Sequence, residues 1–133
     1  MDNRLKREIT IACYNTDCSF KMKPSAFMDV AQDMAYYAAG RFNFGYEDLQ
    51  KNGTVWVLSR MHIQFKETPK WLDEVEMTTW HKGLDGLYFL RDFSMNSKDG
   101  TPMVAATSSW VVINKEQNDV ALVSLSIASS HSL

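Results

Sequence analysis

A single α+β domain is the fold class predicted for this 133-residue chain, and three observations predict it. Residues 24–40 carry apolar side chains at helical spacing, residues 56–66 alternate as a half-buried strand does, and two Asp-Gly turn signals divide the later residues into further strands. A chain of this length buries roughly two-thirds of the surface it exposes when unfolded, which is enough for one core. The order reads as a strand, a long helix, and then consecutive antiparallel strands. A single long helix packed against such a sheet is the hot-dog arrangement, and residues 1–115 are assigned to it.

The first strand is expected over Ile9 to Tyr14, which is rich in β-branched and aromatic residues, with the polar loop Asn15 to Ser19 ending it. Beyond Lys23 the period changes. Phe27, Val30, Ala31, Met34, Ala35 and Ala38 recur at helical spacing, with Asp29, Gln32, Asp33 and Tyr36 on other faces. Pro24 suits a first helical turn, where a backbone N–H has no partner in any case, and Gly40 is a stop signal. The alanines make one side of this helix small enough to approach a sheet closely.

Gly45 to Lys51 reads as a short second helix ended by Asn52-Gly53. In the strand after it, Val55, Val57, Met61, Ile63 and Phe65 are placed on one face, and Arg60, His62, Gln64 and Lys66 on the other. Val75, Met77 and Thr79 alternate with Glu74, Glu76 and Thr78 in a further strand. Leu87, Phe89, Phe93 and Met95 share a face with Arg91 in the next. The segments Lys82 to Gly86 and Asn96 to Gly100 supply the turns between antiparallel neighbours. Met103 to Ile113 is apolar or small on both faces and is expected to be central. Val120 to Ile127 reads as one more strand, and Ala128 to Leu133 as an unstructured end. Residues 116–133 are atypical as a whole, a disordered or truncated tail.

Composition excludes several classes. The chain is 45% hydrophobic, 12% aromatic and 23% charged, which is globular rather than disordered. A net charge of -2, from 14 basic and 16 acidic residues, gives no footprint for nucleic acid. The basic N-terminus lacks the apolar run of a signal peptide, and no stretch is long and apolar enough to span a bilayer, so a cytoplasmic protein without a membrane partner is expected. Cys13 and Cys18 fit neither a zinc spacing nor a redox pair, and the expectation is no metal and no cofactor.

No nucleotide loop, zinc signature or serine-hydrolase elbow occurs. His62 falls on the wet side of its strand, His81 opens a turn, and His131 lies in the tail, all positions that suit solvated histidines. Architecture points to the N-terminus of the Pro24 helix, where unpaired N–H groups can polarise a carbonyl. One such donor aimed at an oxyanion is worth about 10²–10³ in rate. Asn15, Asp17 and Cys18 are the polar groups nearby, and Asp17 is the candidate base, although Asn15 and Asp17 suit a turn equally well. Phe27, Met28, Met34, Met61 and Met77 are candidate lining for a flexible acyl chain, or ordinary core.

Taken together, Trp56-Val57-Leu58-Ser59-Arg60-Met61, the series Pro69, Trp71, Asp73 and Val75, Thr79-Trp80, Arg91-Asp92-Phe93, Gly100 and Thr107-Ser108-Ser109-Trp110-Val111 resemble the acyl-acyl-carrier-protein thioesterases. The stretch from Asp17 to Gly40 is similar to that family as well. The resemblance implies hydrolysis of the thioester between a fatty acyl group and acyl carrier protein, by two hot-dog domains in one chain. Only the first of those domains is matched. The family's catalytic Asn-x-His pair and its acidic companions belong to the second, and Asp17 to Lys23 contains no such pair, so the resemblance carries over no catalytic residue. What it implies for this half is the acyl-chain pocket and part of the carrier-protein surface, for which Arg41, Lys51 and Lys82 are candidate contacts. The family would continue past Lys115 into a linker; here Glu116 to Asp119 and a serine-rich segment come instead, as in a truncated or frameshifted gene.

Three readings fit these residues. The chain is the pocket-forming half of a thioesterase, inactive or nearly so alone; or a binding module that holds acyl chains or acyl thioesters without turnover; or, ranked last, a dehydratase, which requires a histidine beside the pocket. The first two imply an oligomer or pairing with a second hot-dog domain, since a lone sheet leaves an edge and an apolar face unsatisfied.

Overall fold

The computed structural model of the chain describes residues 4–40, 53–114 and 124–129. Strand β1 (Leu5–Thr10) is followed by a 3-10 turn (Cys13–Asn15) and by helix α1 (Pro24–Gly40). Then come β2 (Thr54–Phe65), β3 (Glu74–Asp85), β4 (Tyr88–Ser97), β5 (Pro102–Asn114) and β6 (Ser124–Ser129). The strands form one sheet in the order β1, β3, β4, β5, β2, β6. All pairings are antiparallel except β2 with β6, which is parallel. This is the hot-dog arrangement predicted from the sequence.

Spatial order departs from chain order at β2. It pairs with β5 rather than β3, so the connection that carries α1 passes over three strands from β1 to β2. The helix therefore meets the sheet across its width. Phe27 sets the contact: its ring packs edge-on against Phe65 of β2 at 6.3 Å and against Phe93 of β4 at 6.5 Å. Ala31, Met34, Ala35 and Ala38 continue the buried stripe toward the C-terminal end, and the alanines hold the helix close to the strands. At the β1 edge Arg7 pairs with Asp33 of α1 at 2.8 Å and lies over the Tyr37 ring.

The first strand ends earlier than its composition suggests. β1 is Leu5–Thr10, and the Ile9 to Tyr14 reading fails at Ala12, whose N–H is taken at 2.9 Å by the Asn15 side chain in a local turn. That short-range bond competes with the ladder. Ile11 stays buried, donating its N–H to Asp73, while Tyr14 is exposed.

Strand β2 holds the main surprise. Its pairing with β5 runs Trp56↔Val112, Val57↔Val111, Leu58↔Trp110 and then jumps to Arg60↔Ser109, so Ser59 is an extra residue in a bulge. One extra residue reverses the two-residue parity. Trp56 and Leu58 are thus buried before it, and Met61, Ile63 and Phe65 after it. Val55 and Val57, expected alongside Met61, are on the other face.

The hairpins obey the turn signals. Asp85 pairs with Tyr88 across a two-residue connection in which Gly86 has φ +62°, a conformation that favours glycine. Leu87 falls in this turn and is exposed, not on the buried face of β4. β5 lies between β4 and β2, as its two-sided apolar character requires. β6 runs beside β2 from Ser124 to Ser129, so Ala128 and Ser129 belong to a strand and not to the unstructured end. The expected helix at 45–51 and the segment 120–123 lie outside the described residues.

This packing sets two stability outcomes. Phe27→Ala removes a fully buried ring that touches two strands and is expected to cost about 3–5 kcal/mol in denaturant unfolding. Deleting Ser59 removes the parity switch and turns either Trp56 and Leu58 or Met61, Ile63 and Phe65 outward; loss of the cooperative transition is expected, and a native-like midpoint would contradict the bulge.

Candidate functional site

At one end of the sheet the pairing brings a row of polar side chains onto the helix-facing side. His81 of β3 is opposite Arg91 of β4, and Arg91 is opposite Ser108 of β5. One step further along, Phe89 is opposite Trp110. Arg91 and Ser108 are buried, although both are polar, and the hydroxyls around them are used on both sides. Thr79 Oγ1 accepts from Arg91 Nη1 at 3.3 Å and donates to the Asp92 carbonyl at 2.9 Å. Ser108 Oγ accepts from Trp110 Nε1 at 2.8 Å and donates to the Arg91 carbonyl at 2.8 Å. Each hydroxyl joins two groups that would otherwise be costly to bury.

Above this row lies a cavity of about 400 Å³, within the range of small-ligand sites. Its roof is the C-terminal half of α1, through Ala35, Tyr36 and Ala39. Its walls are aromatic: Trp56 and Phe89 meet edge-on at 4.5 Å, and Tyr36 meets Trp110 edge-on at 6.2 Å while donating its hydroxyl to the Trp56 carbonyl at 3.2 Å. Leu84 and Leu90 add aliphatic surface. His81 and Arg91 are the basic members of the wall. Burial, and secondarily the charge of Arg91, push the His81 imidazole below its ordinary pKa, which favours its neutral form. Burial likewise lowers the pKa of Arg91.

The N-terminus of α1 has a different character. Pro24 has no N–H, and Ala26 and Phe27 both donate theirs to the Lys23 carbonyl, at 3.0 and 3.2 Å. The donors expected to polarise a carbonyl there are therefore largely spent on the chain itself. Asp17 is exposed, and its Oδ1 accepts the N–H of Lys21 at 3.1 Å and of Ser19 at 2.8 Å. Those bonds, led by that from Lys21, hold its carboxyl below the usual range. Asn15 closes a turn on Ala12, and Cys18 is exposed. A second cavity runs along this half of α1 and β1, past Arg7, Asn15, Lys23, Asp29 and Asp33; Asp17 and Cys18 do not line it.

The five residues expected to line an acyl pocket sit elsewhere. Phe27, Met34, Met61 and Met77 are fully buried in the closed core and Met28 packs beside them; none lines the aromatic cavity. His81 and Arg91 escaped the sequence reading for different reasons. A shift of register between His81 and Gly83 continues β3 past the expected turn, so His81 lies in a strand and not at its end. Arg91 carried a signal that was visible: a charge in phase with Phe89, Phe93 and Met95 on a buried face.

Among the described residues no group of three or more His, Cys, Asp or Glu side chains is placed to hold a metal. No helix among them is long and apolar enough to cross a membrane.

Comparison with known proteins places this architecture. The family described as acyl-ACP thioesterase N-terminal domain matches residues 2–130. The chain is similar to the chloroplastic oleoyl-acyl carrier protein thioesterase 1 of Arabidopsis thaliana, with 34% identity over 77 residues, 57% of this chain and 21% of that protein. It is also similar to the chloroplastic oleoyl-acyl carrier protein thioesterase of Coriandrum sativum, with 25% identity over 130 residues, 90% of this chain and 34% of that protein. Among solved structures, an acyl-ACP thioesterase from Bacteroides thetaiotaomicron superposes with a TM-score of 0.81 at 24% identity, over 90% of this chain and 49% of that one. The chain thus spans about a third or less of these plant relatives and half of the bacterial structure. With the match covering nearly its whole length, the chain belongs to the acyl-ACP thioesterase N-terminal domain family.

Proposed function

We propose that this chain is the acyl-chain-holding half of a thioester hydrolase that acts on acyl-acyl carrier protein and releases a fatty acid. The observation that carries this reading is the aromatic cavity under the C-terminal half of α1, roofed by small residues and walled by Trp56, Phe89 and Trp110. An acyl chain is flexible and apolar, and enclosing it on such surfaces gains about 25 cal/mol per Å² removed from water. The reaction is attack of water on the thioester carbonyl, with departure of the carrier thiol and release of the acid. On this reading the base that activates the water comes from a second domain. Asp17 remains the candidate base within this half, and Phe27, Met28, Met34, Met61 and Met77 the candidate substrate-binding residues. Lys82, 3.6 Å from Asp92, is a candidate contact for the acidic carrier protein.

The second reading, a module that binds acyl chains or acyl thioesters without turning them over, is favoured by the wall itself. Its ionisable side chains are Arg91, His81 and the Tyr36 phenol, with no carboxylate or thiol among the described residues that line it. Both readings include self-association or pairing with a second hot-dog domain through the sheet edges, where β1 and β6 are the outer strands.

The purified chain is expected to bind acyl-acyl carrier protein saturably and to release free thiol no faster than background. Release at ordinary enzymatic rates, about 1–10³ s⁻¹, would overturn the division of labour, and comparison of Asp17→Ala with His81→Ala would then identify the base. Ala39→Phe places a ring in the cavity from the helix side and is expected to weaken acyl binding at least ten-fold with little change in melting temperature; unchanged binding would show that the chain is held elsewhere. Light scattering is expected to give a mass above that of one chain.

A further inference from the structure

Arg91 is a buried charge with little to compensate it. It is 8% exposed, it faces the aromatic cavity, and its guanidinium makes one hydrogen bond, to the neutral Thr79 hydroxyl. No Asp or Glu carboxylate among the described residues lies within ion-pair distance of it. The neighbouring Asp92 is no substitute: it alternates to the opposite face of β4, where Lys82 is its ion-pair partner. His81, directly across from Arg91, brings no negative charge. Four of the five guanidinium N–H donors are left over from the bond to Thr79, and an arginine stays charged even where burial lowers its pKa.

A buried charge is costly unless it is paired, and arginine is suited above all to a planar, two-oxygen anion. The surroundings restrict what can bring that anion. Trp56, Phe89 and Trp110 reject a strongly hydrated ion, so the partner must carry its charge at one end and apolar surface along the rest. We propose that the cavity binds free long-chain carboxylic acids, with the carboxylate paired to the Arg91 guanidinium and the hydrocarbon chain on Trp56, Phe89 and Trp110. This rests on the acyl-pocket reading and adds to it a head-group site. The consequence is retention of the free acid: a fatty acid released by hydrolysis has a charged end that an acyl thioester lacks, so it competes for the pocket that holds the substrate chain. Low local dielectric strengthens the pair, and the network through Thr79 and Asp92 holds the guanidinium in place before the acid arrives.

The test titrates the full 133-residue chain with dodecanoate and with methyl dodecanoate below their aggregation limits, reading tryptophan emission, since two of the tryptophans line the cavity. At pH 8 the acid is expected to bind at least ten-fold more tightly than the ester. Arg91→Met, which keeps length and apolar character, is expected to abolish this preference by weakening the acid while leaving the ester within about three-fold; Arg91→Lys is expected to retain part of it. Equal binding of acid and ester by the unaltered chain, or a preference that survives Arg91→Met, overturns the head-group site and leaves the acyl pocket standing. Failure of both ligands to bind overturns the acyl pocket and the head-group site together. If Arg91→Met does not fold, the unaltered chain still decides: the acid's advantage must fade as pH drops through the carboxylate range, where the ligand loses its charge, and an advantage that is the same at every pH refutes the pairing.

Discussion

Everything in this fold depends on burying one stripe of one helix against one face of one sheet. The stripe runs from Phe27 through Ala31, Met34, Ala35 and Ala38, and the face that receives it is assembled from strands far apart in the chain. Phe27 meets β2 and β4 at once, so the helix and the strand order specify each other. Because the residues toward the C-terminal end of the stripe are alanines, the helix surface recedes there. Aromatic rings from β2, β4 and β5 stand beneath it, Tyr36 meets Trp110 at the wall, and the cavity lies between them. The same size gradient along α1 therefore produces a closed core at one end and an open chamber at the other.

Burial also explains the polar chemistry of the chamber. The row His81, Arg91 and Ser108 is on the helix-facing side because cross-strand register puts it there, and each of its members is then dealt with separately. Ser108 is bonded on both sides, the His81 pKa is lowered by burial, and Arg91 keeps both its charge and most of its donors. Thr79 and Ser108 stabilise the backbone and one edge of the guanidinium, but a neutral hydroxyl does not compensate a buried charge. The chamber thus combines an apolar wall with one cationic side chain that lacks an anionic partner among the described residues.

The two ends of α1 present different surroundings. The acyl-ACP thioesterase N-terminal domain family is matched along almost the whole chain, and the fold presents an aromatic cavity under the C-terminal half of α1. At the N-terminus of α1, by contrast, the local polar groups close on one another: Lys23 takes two of the helix N–H groups and Asp17 takes those of Ser19 and Lys21. An arrangement that satisfies its own donors has few left to stabilise an oxyanion.

Local physics was legible in the sequence, and the bounds of α1 show it best. Pro24 opens the helix as its backbone chemistry requires, and the described helix runs from there to Gly40. The Asp85-Gly86 and Asp99-Gly100 turns, the central position of β5 and the family words from Trp56 to Val111 were all readable because each depends on neighbours in sequence or on residue identity alone. Tertiary structure decided the rest. A bulge at Ser59 has no compositional mark, yet it moves Trp56 and Leu58 to the core and Val55 and Val57 away from it. The cavity needed β2, β3, β4 and β5 to be aligned before Trp56, His81, Arg91 and Trp110 became neighbours, and no spacing in the chain encodes that alignment. Alternation tells which residues share a strand face; only hydrogen-bonded register between distant strands tells which of them share a site.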